Sequence, residues 1–252
     1  MTAYAETAPA VAFNRPSLPR LTAVELRKMT DTRAGFWLLL VTGFLAVAIV
    51  TITAIWGNAQ DQNLADMFRG ALWVVSVVLP VVGILAVTSE WSQRTALNTF
   101  SLVPQRERVI GAKLVAGITL ALVAVAACLL TAAIGNLIVG GSWELELSQL
   151  ANAALFEVLG MLGGIAFGLA FLSSPLAIVL YFVLPTVWAI LGESIKALSG
   201  PADWLDTSRT MEPLVENTMA GGDWARLATS VALWVGVALV IGLIRLSRSE
   251  LK

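Results

Sequence analysis

The sequence has no histidine, one cysteine and very little charge. Without histidine there is no His-ligated zinc, no Ser-His-Asp triad and no haem held by imidazole. The lone thiol, Cys128, closes no internal disulfide and builds no cysteine cluster for a metal. Charged residues are 13% of the 252, against roughly 25% in an ordinary soluble domain. A phosphate-binding loop is missing too, since it needs a glycine, four residues, then Gly-Lys-Ser/Thr. The nearest string, Gly111-Ala112-Lys113-Leu114, lacks both the upstream glycine and the hydroxyl. No acidic pair at helical spacing lies inside the apolar stretches, which argues against a membrane protease built on paired carboxylates. The chain therefore reads as no enzyme, with no cofactor, no metal and no nucleic-acid partner of its own.

What is present is apolar. Hydrophobic residues make up 58% and the mean hydropathy is +0.81. A soluble fold of this length would need more polar surface to cover its core. The expected fold is all-α, a polytopic membrane protein with six transmembrane helices. Their apolar stretches are Phe36–Trp56, Ala71–Val87, Leu114–Val139, Leu150–Leu172, Leu176–Leu191 and Leu227–Ile244. A spanning helix takes about 17–25 residues, and only the fifth stretch, which carries Pro185, falls short. Residues 1–19 hold Pro9, Pro16 and Pro19 and read as a mobile tail ahead of one six-helix domain, 20–252. Some 35 mostly polar residues precede the first span, which is not the pattern of a signal peptide. Arg20–Arg33 reads as a short helix with a weak stripe of Leu21, Val24, Leu26 and Met29.

Lys and Arg set the expected orientation. Six spans put both termini on one side. Twelve of the 16 basic residues fall there: Arg15 to Arg33, Arg94 to Lys113, and Arg245 to Lys252. Arg69, Lys196, Arg209 and Arg226 fall opposite. Basic loops stay cytoplasmic, so both termini are expected inside the cell membrane. Trp37 and Trp56 bracket the first span, about 28 Å apart along a helix, and indoles favour such interfaces.

Two loops are long. The outer loop 192–226 contains Gly200-Pro201, Trp204, Pro213 and Gly221-Gly222 and reads as one or two short helices with turns. The inner loop carries Glu90, Arg94, Thr95, Pro104, Arg106, Arg108 and Lys113. Thr95, Ala96, Leu97, Phe100 and Leu102 give it an apolar stripe with charges at its edges. Such a helix either fills a groove on a soluble partner or lies on anionic lipid.

Inside the spans one ionisable residue stands out, Glu157, in a stretch that also carries Gly160, Gly164 and Gly168. Small residues every four positions let helix backbones approach closely. At 100° per residue, Glu157 and Gly164 share a face to within about 20°, so the acid points into a helix contact. Two readings stand: a substrate or ion contact, or a structural hydrogen bond near the span's outer end. Pro175 and Pro185 mark the fifth span as kinked or broken, which occurs at transporter sites and in ordinary bundles alike.

Glu25-Leu26-Arg27-Lys28-Met29-Thr30-Asp31-Thr32-Arg33 resembles the connecting-helix lead of ABC-2 type transporter permeases, most closely their six-span actinobacterial members. Ser89-Glu90-Trp91 through Arg94-Thr95, Leu102-Val103-Pro104, Arg106-Glu107-Arg108 and Lys113 resembles that family's coupling-helix region. Arg248-Ser249-Glu250-Leu251-Lys252 is similar to its basic tail. The turn Ser173-Ser174-Pro175 departs from the pattern, which carries a basic residue there. The resemblance implies a cytoplasmic N-terminal connecting helix and a cytoplasmic coupling helix between spans two and three. It implies two permease chains, a homodimer or a paralogous pair, working with two copies of an ATP-binding subunit that holds the ATP and Mg. Direction in this family is mostly export. The rivals are a secondary transporter or channel using Glu157, and a non-transporting membrane scaffold.

Overall fold

The computed structural model describes residues 16–57, 62–93 and 106–248. Residues 1–15 of the expected tail, the basic C-terminus beyond Arg248, and Arg94, Thr95 and Pro104 lie outside these residues, so the coupling helix does too; the end of the expected tail is helical, since Leu18 and Pro19 open α1. All regular elements among the described residues are helical. They are α1 (Leu18–Asp31), α2 (Arg33–Trp56), α3 (Leu64–Ser92), α4 (Arg106–Val139), α5 (Leu147–Phe171), α6 (Ser174–Ser194), α7 (Ser199–Leu205), α8 (Thr207–Val215), α9 (Gly221–Val231) and α10 (Ala238–Arg248). A π-helical segment, Ala232–Val237, joins α9 to α10. Six helical runs are long and apolar enough to cross a membrane, the last being Gly221–Leu246. Several run beyond the apolar stretches themselves: α3 begins seven residues before Ala71, and the last span takes in Gly221 to Arg226. Helix geometry continues into polar residues as long as no proline or cap stops it.

Local chemistry sets the breaks. Thr32 separates α1 from α2, and its hydroxyl accepts the Gly35 N–H at 3.1 Å, a normal N-cap. Asn63 caps α3 in the same way through Asp66 N–H, at 2.9 Å. Leu172, in the left-handed region at φ 53°, ends α5, and Ser173 turns the chain straight into α6.

The helices α3 and α5 form the inner pair, while α2 and α6 leave most of their surface exposed. Lipid is as apolar as leucine, so membrane helices associate through close packing rather than water exclusion. The glycine face of α5 supplies that packing, and its partner is α3 of the same chain. A β-carbon on Gly164 would land on the Pro80 carbonyl. One on Gly168 would sit 3.0 Å from the Ile84 carbonyl, and one on Gly160 would make only ordinary contact with Pro80 Cγ, at 3.5 Å. Gly83 answers from α3, where a β-carbon would come 2.8 Å from the Met161 carbonyl. The two backbones touch at Gly164 and Pro80.

The ends of the bundle are fixed by polar contacts. At one end Arg108 donates to the Pro16 carbonyl at 3.0 Å, the Thr88 and Ser174 hydroxyls meet at 2.7 Å, and Arg245 donates to the Ala170 carbonyl at 2.8 Å. Both ends of the described chain therefore gather there. At the other end α7 and α8 form a cap. Asn217, at φ 57°, donates to Glu146 and Ser148 at 3.0 Å each and accepts from Asn152 at 2.9 Å. Trp234, in the π segment, donates to the Leu205 carbonyl at 2.7 Å.

The Gly164 contact has a direct consequence. Gly164→Leu should destabilise the bundle by about 1–3 kcal/mol or more, as overpacking does, and should cut the folded yield in mild detergent. Gly160→Ala should leave that yield near wild type. Equal yields for the two variants would show that the seam is not closed at Gly164.

Candidate functional site: a buried charge joint and a lateral cleft

Four charged side chains meet where α1 crosses the ends of α3 and α4. Lys113 reaches in from the second turn of α4 and is 3% exposed. Its ammonium has three N–H groups. One goes to Glu25 Oε2 on α1, one to Glu90 Oε1 on α3 at 2.9 Å, and one to the Ala86 carbonyl at 3.0 Å. Lys28 approaches from the outside and donates to Glu25 Oε1 at 2.7 Å and Glu90 Oε1 at 2.9 Å. Two acids and two bases thus close a neutral cluster spanning three helices.

Each isolated charge here would be costly to bury, and the partners offset that cost. Replacing a whole buried pair is often neutral, whereas removing one partner typically costs about 3–5 kcal/mol. The cluster therefore fixes the register of α1 against α3 and α4 more than it adds net stability. Burial alone would lower the pKa of Lys28. Hydrogen bonds and charge from Glu25 and Glu90 outweigh it and hold the ammonium above the ordinary lysine value of 10.5. A raised basic pKa stabilises the fold fully below the unfolded value and loses that effect only as pH climbs through the folded one. The Lys28 contribution is thus constant across the neutral range.

The expected stripe on α1 is partly corrected by this joint. Met29 is buried, but Val24 faces out, and Glu25 takes the inward position one turn before Met29. Ion pairing, not apolarity, chose the face. Glu90 and Lys113 lie inside the joint, with their side chains turned away from solvent. Arg108 holds α4 to the segment before α1, and Arg106 opens α4.

The second feature lies along the seam between α3 and α5. Closed at Gly164, the seam widens toward the cap into a cleft of about 180 Å³. Phe68, Leu72, Trp73 and Ser76 of α3 line it, with Ala153, Phe156 and Glu157 of α5 and Leu214 and Val215 of α8. Glu157 is 1% exposed, and its Oε1 has no hydrogen-bond partner among the described residues. It sits 10 residues into α5, about 15 Å along the helix, so it is nearer mid-span than the sequence indicated. An ionised side chain at such depth costs roughly 2.5–3.5 kcal/mol on insertion scales. Pro80 lacks an N–H, which removes the helical donor of the Ser76 carbonyl. Among the described residues no three Cys, Asp or Glu gather as a metal site.

The sequence reading brought Glu90, Arg108 and Lys113 to one end and Glu157 onto the glycine face. It did not pair Glu25 and Lys28 with them, and it passed over Pro80. The available signal was a carboxylate at position 25 with Lys28 one turn away on a helix whose apolar stripe was weak. Just before the Ser173-Ser174-Pro175 turn, Arg245 of the last helix donates to the Ala170 and Phe171 carbonyls.

The chain matches no protein-family model and no curated protein.

Breaking the joint from inside should be far costlier than trimming a surface pair. Lys113→Met should lose about 3–5 kcal/mol in thermal unfolding in detergent. Arg27→Ala, which removes an exposed pair with Asp31 at 2.8 Å, should change stability by no more than about 0.5 kcal/mol. Similar losses for both would remove the joint from the energetic account.

Proposed function

We propose that this chain is the membrane-spanning permease subunit of an ATP-binding-cassette exporter of the ABC-2 type. It works as a dimer, with itself or a paralogue, and is driven by two copies of a separate ATP-binding subunit that carries ATP and Mg. The membrane is the cell membrane, with both termini on the cytoplasmic side, as the distribution of Lys and Arg favours.

One observation supports this reading above the others. Glu90 and Lys113 flank the 94–105 loop, and both are ion-paired to α1, Glu90 through Lys28 and Lys113 through Glu25. Force applied to that loop by a soluble partner is delivered to α3, α4 and α1 together. ATP-driven closure of the ATPase pair pushes on the loop, and the joint turns the push into a concerted tilt of spans two and three. The glycine seam between α3 and α5 passes that tilt to the middle of the bundle. The missing ATP site follows naturally, because hydrolysis belongs to another polypeptide.

A second reading has its own support. A buried, unpartnered Glu157 is the kind of group a self-contained secondary transporter uses for ion coupling.

Isolation of the chain from its native membrane in gentle detergent, followed by mass spectrometry, separates the two. A near-stoichiometric soluble ATPase is the expected result. A compact oligomer of this chain alone would contradict the ATP-driven reading and favour ion coupling. In the isolated complex, Arg94→Glu should leave assembly intact while transport falls at least tenfold relative to ATP hydrolysis. Unchanged coupling would take Arg94 out of the contact.

A further inference from the structure

We propose that the cleft between α3 and α5 binds an amphipathic molecule bearing a single amine, with the amine on Glu157 and the apolar body along Phe68, Leu72, Trp73 and Phe156. The inference deepens the transport reading by naming a substrate class, and it rests on that reading only for the word substrate. The binding site itself stands on the geometry.

The acid is the first argument. Buried carboxylates are normally hydrogen-bonded or paired, and the four-charge joint in this same chain shows that pattern fully satisfied. Glu157 is as deeply buried as those groups, yet its Oε1 has no partner among the described residues. A group kept at this depth without a partner is placed to receive one. What it lacks is a donor, and the strongest donor for a carboxylate is an ammonium.

The walls are the second argument. Three of the lining side chains are aromatic, Phe68, Trp73 and Phe156, and Leu72, Leu145, Leu214 and Val215 complete an apolar surface. Aromatic faces attract a cation as well as an alkyl chain. The only basic residue on the lining is Arg69, which is half-exposed at the rim and ion-paired to Asp66 at 3.3 Å. It leaves the deep end of the cleft to Glu157. An anionic group on the ligand would find no cation at the deep end of the cleft, so the geometry selects one positive head on an apolar body.

Access is the third argument. Trp73 is 72% exposed on the flank of α3, so the cleft borders the surface that faces lipid rather than the sealed middle of the bundle. A molecule already dissolved in the bilayer reaches it sideways. Val215, at the end of α8, is exposed at the rim, so the cap sits over the outer mouth.

Photo-crosslinking tests this with the full chain in lipid nanodiscs, without any ATPase. The probes are a diazirine-bearing long-chain alkylamine and the matched alcohol, and labelled residues are mapped by mass spectrometry. The amine should label residues around 65–76, 153–157 and 214–215. That labelling should fall at least tenfold in Glu157→Gln and in Val215→Trp, which adds bulk at the mouth. The alcohol should give only background there in all three proteins. Equal labelling by amine and alcohol in the wild type would overturn the proposal. So would undiminished amine labelling in a folded Glu157→Gln variant. Should that variant fail to fold, the comparison of amine with alcohol in the wild type still decides. Failure here leaves isolation of the ATPase complex untouched, and failure of that isolation leaves this binding intact.

Discussion

The docking of α1 depends on a neutral cluster of four charges, three of them buried and the fourth, Lys28, part-exposed at its edge. Glu25, Lys28, Glu90 and Lys113 come from three helices that are distant in sequence. α1 is not one of the six long apolar helices, and Met29 is its one fully buried apolar side chain. Ionic hydrogen bonds supply the missing specificity. They are directional, and all three donors of Lys113 are used, so α1 has one register rather than several. The cost of leaving any one of the four alone makes the arrangement close to all-or-none.

Away from this joint the fold relies on contact of another kind. Gly164 and Pro80 bring two backbones together near the middle of the inner pair. Above that contact the helices diverge, and the space between them becomes the cleft that holds Glu157. The same seam therefore holds both a close backbone contact and the cleft. Along α3, the Gly164 contact at Pro80 lies between Glu90 of the joint and the Phe68–Ser76 wall of the cleft. This geometry links the two features without any path of side chains between them.

Much of this architecture is legible in the residues. Six apolar stretches gave six spanning helices, because in lipid every backbone polar group must be satisfied within the segment. The glycine spacing on α5 marked the seam, and the 100° arithmetic put Glu157 on it. Other features were hidden for physical reasons. Pro80 sits within a continuous apolar run, where hydropathy does not register it. The face of α1 was read from apolar residues, yet the deciding residue was an acid whose buried partner, Lys113, lies 88 positions away. Arg245 completes the end of α5 from the last helix, a pairing no local pattern shows.

The central claim is that charge pairing, and not mere packing, holds α1 to the ends of α3 and α4. A double-mutant cycle with Glu25→Lys and Lys113→Glu tests it most directly, read as thermal stability in detergent. Each single change places like charges together in a buried site. The double change restores neutrality and the attraction between positions 25 and 113, while positions 25 and 28, and 90 and 113, now repel. The account predicts two strongly destabilised single variants and a double variant no less stable than either one, far short of the sum of their losses, a coupling of about 1–3 kcal/mol. A double variant as unstable as the sum of the two singles would contradict it.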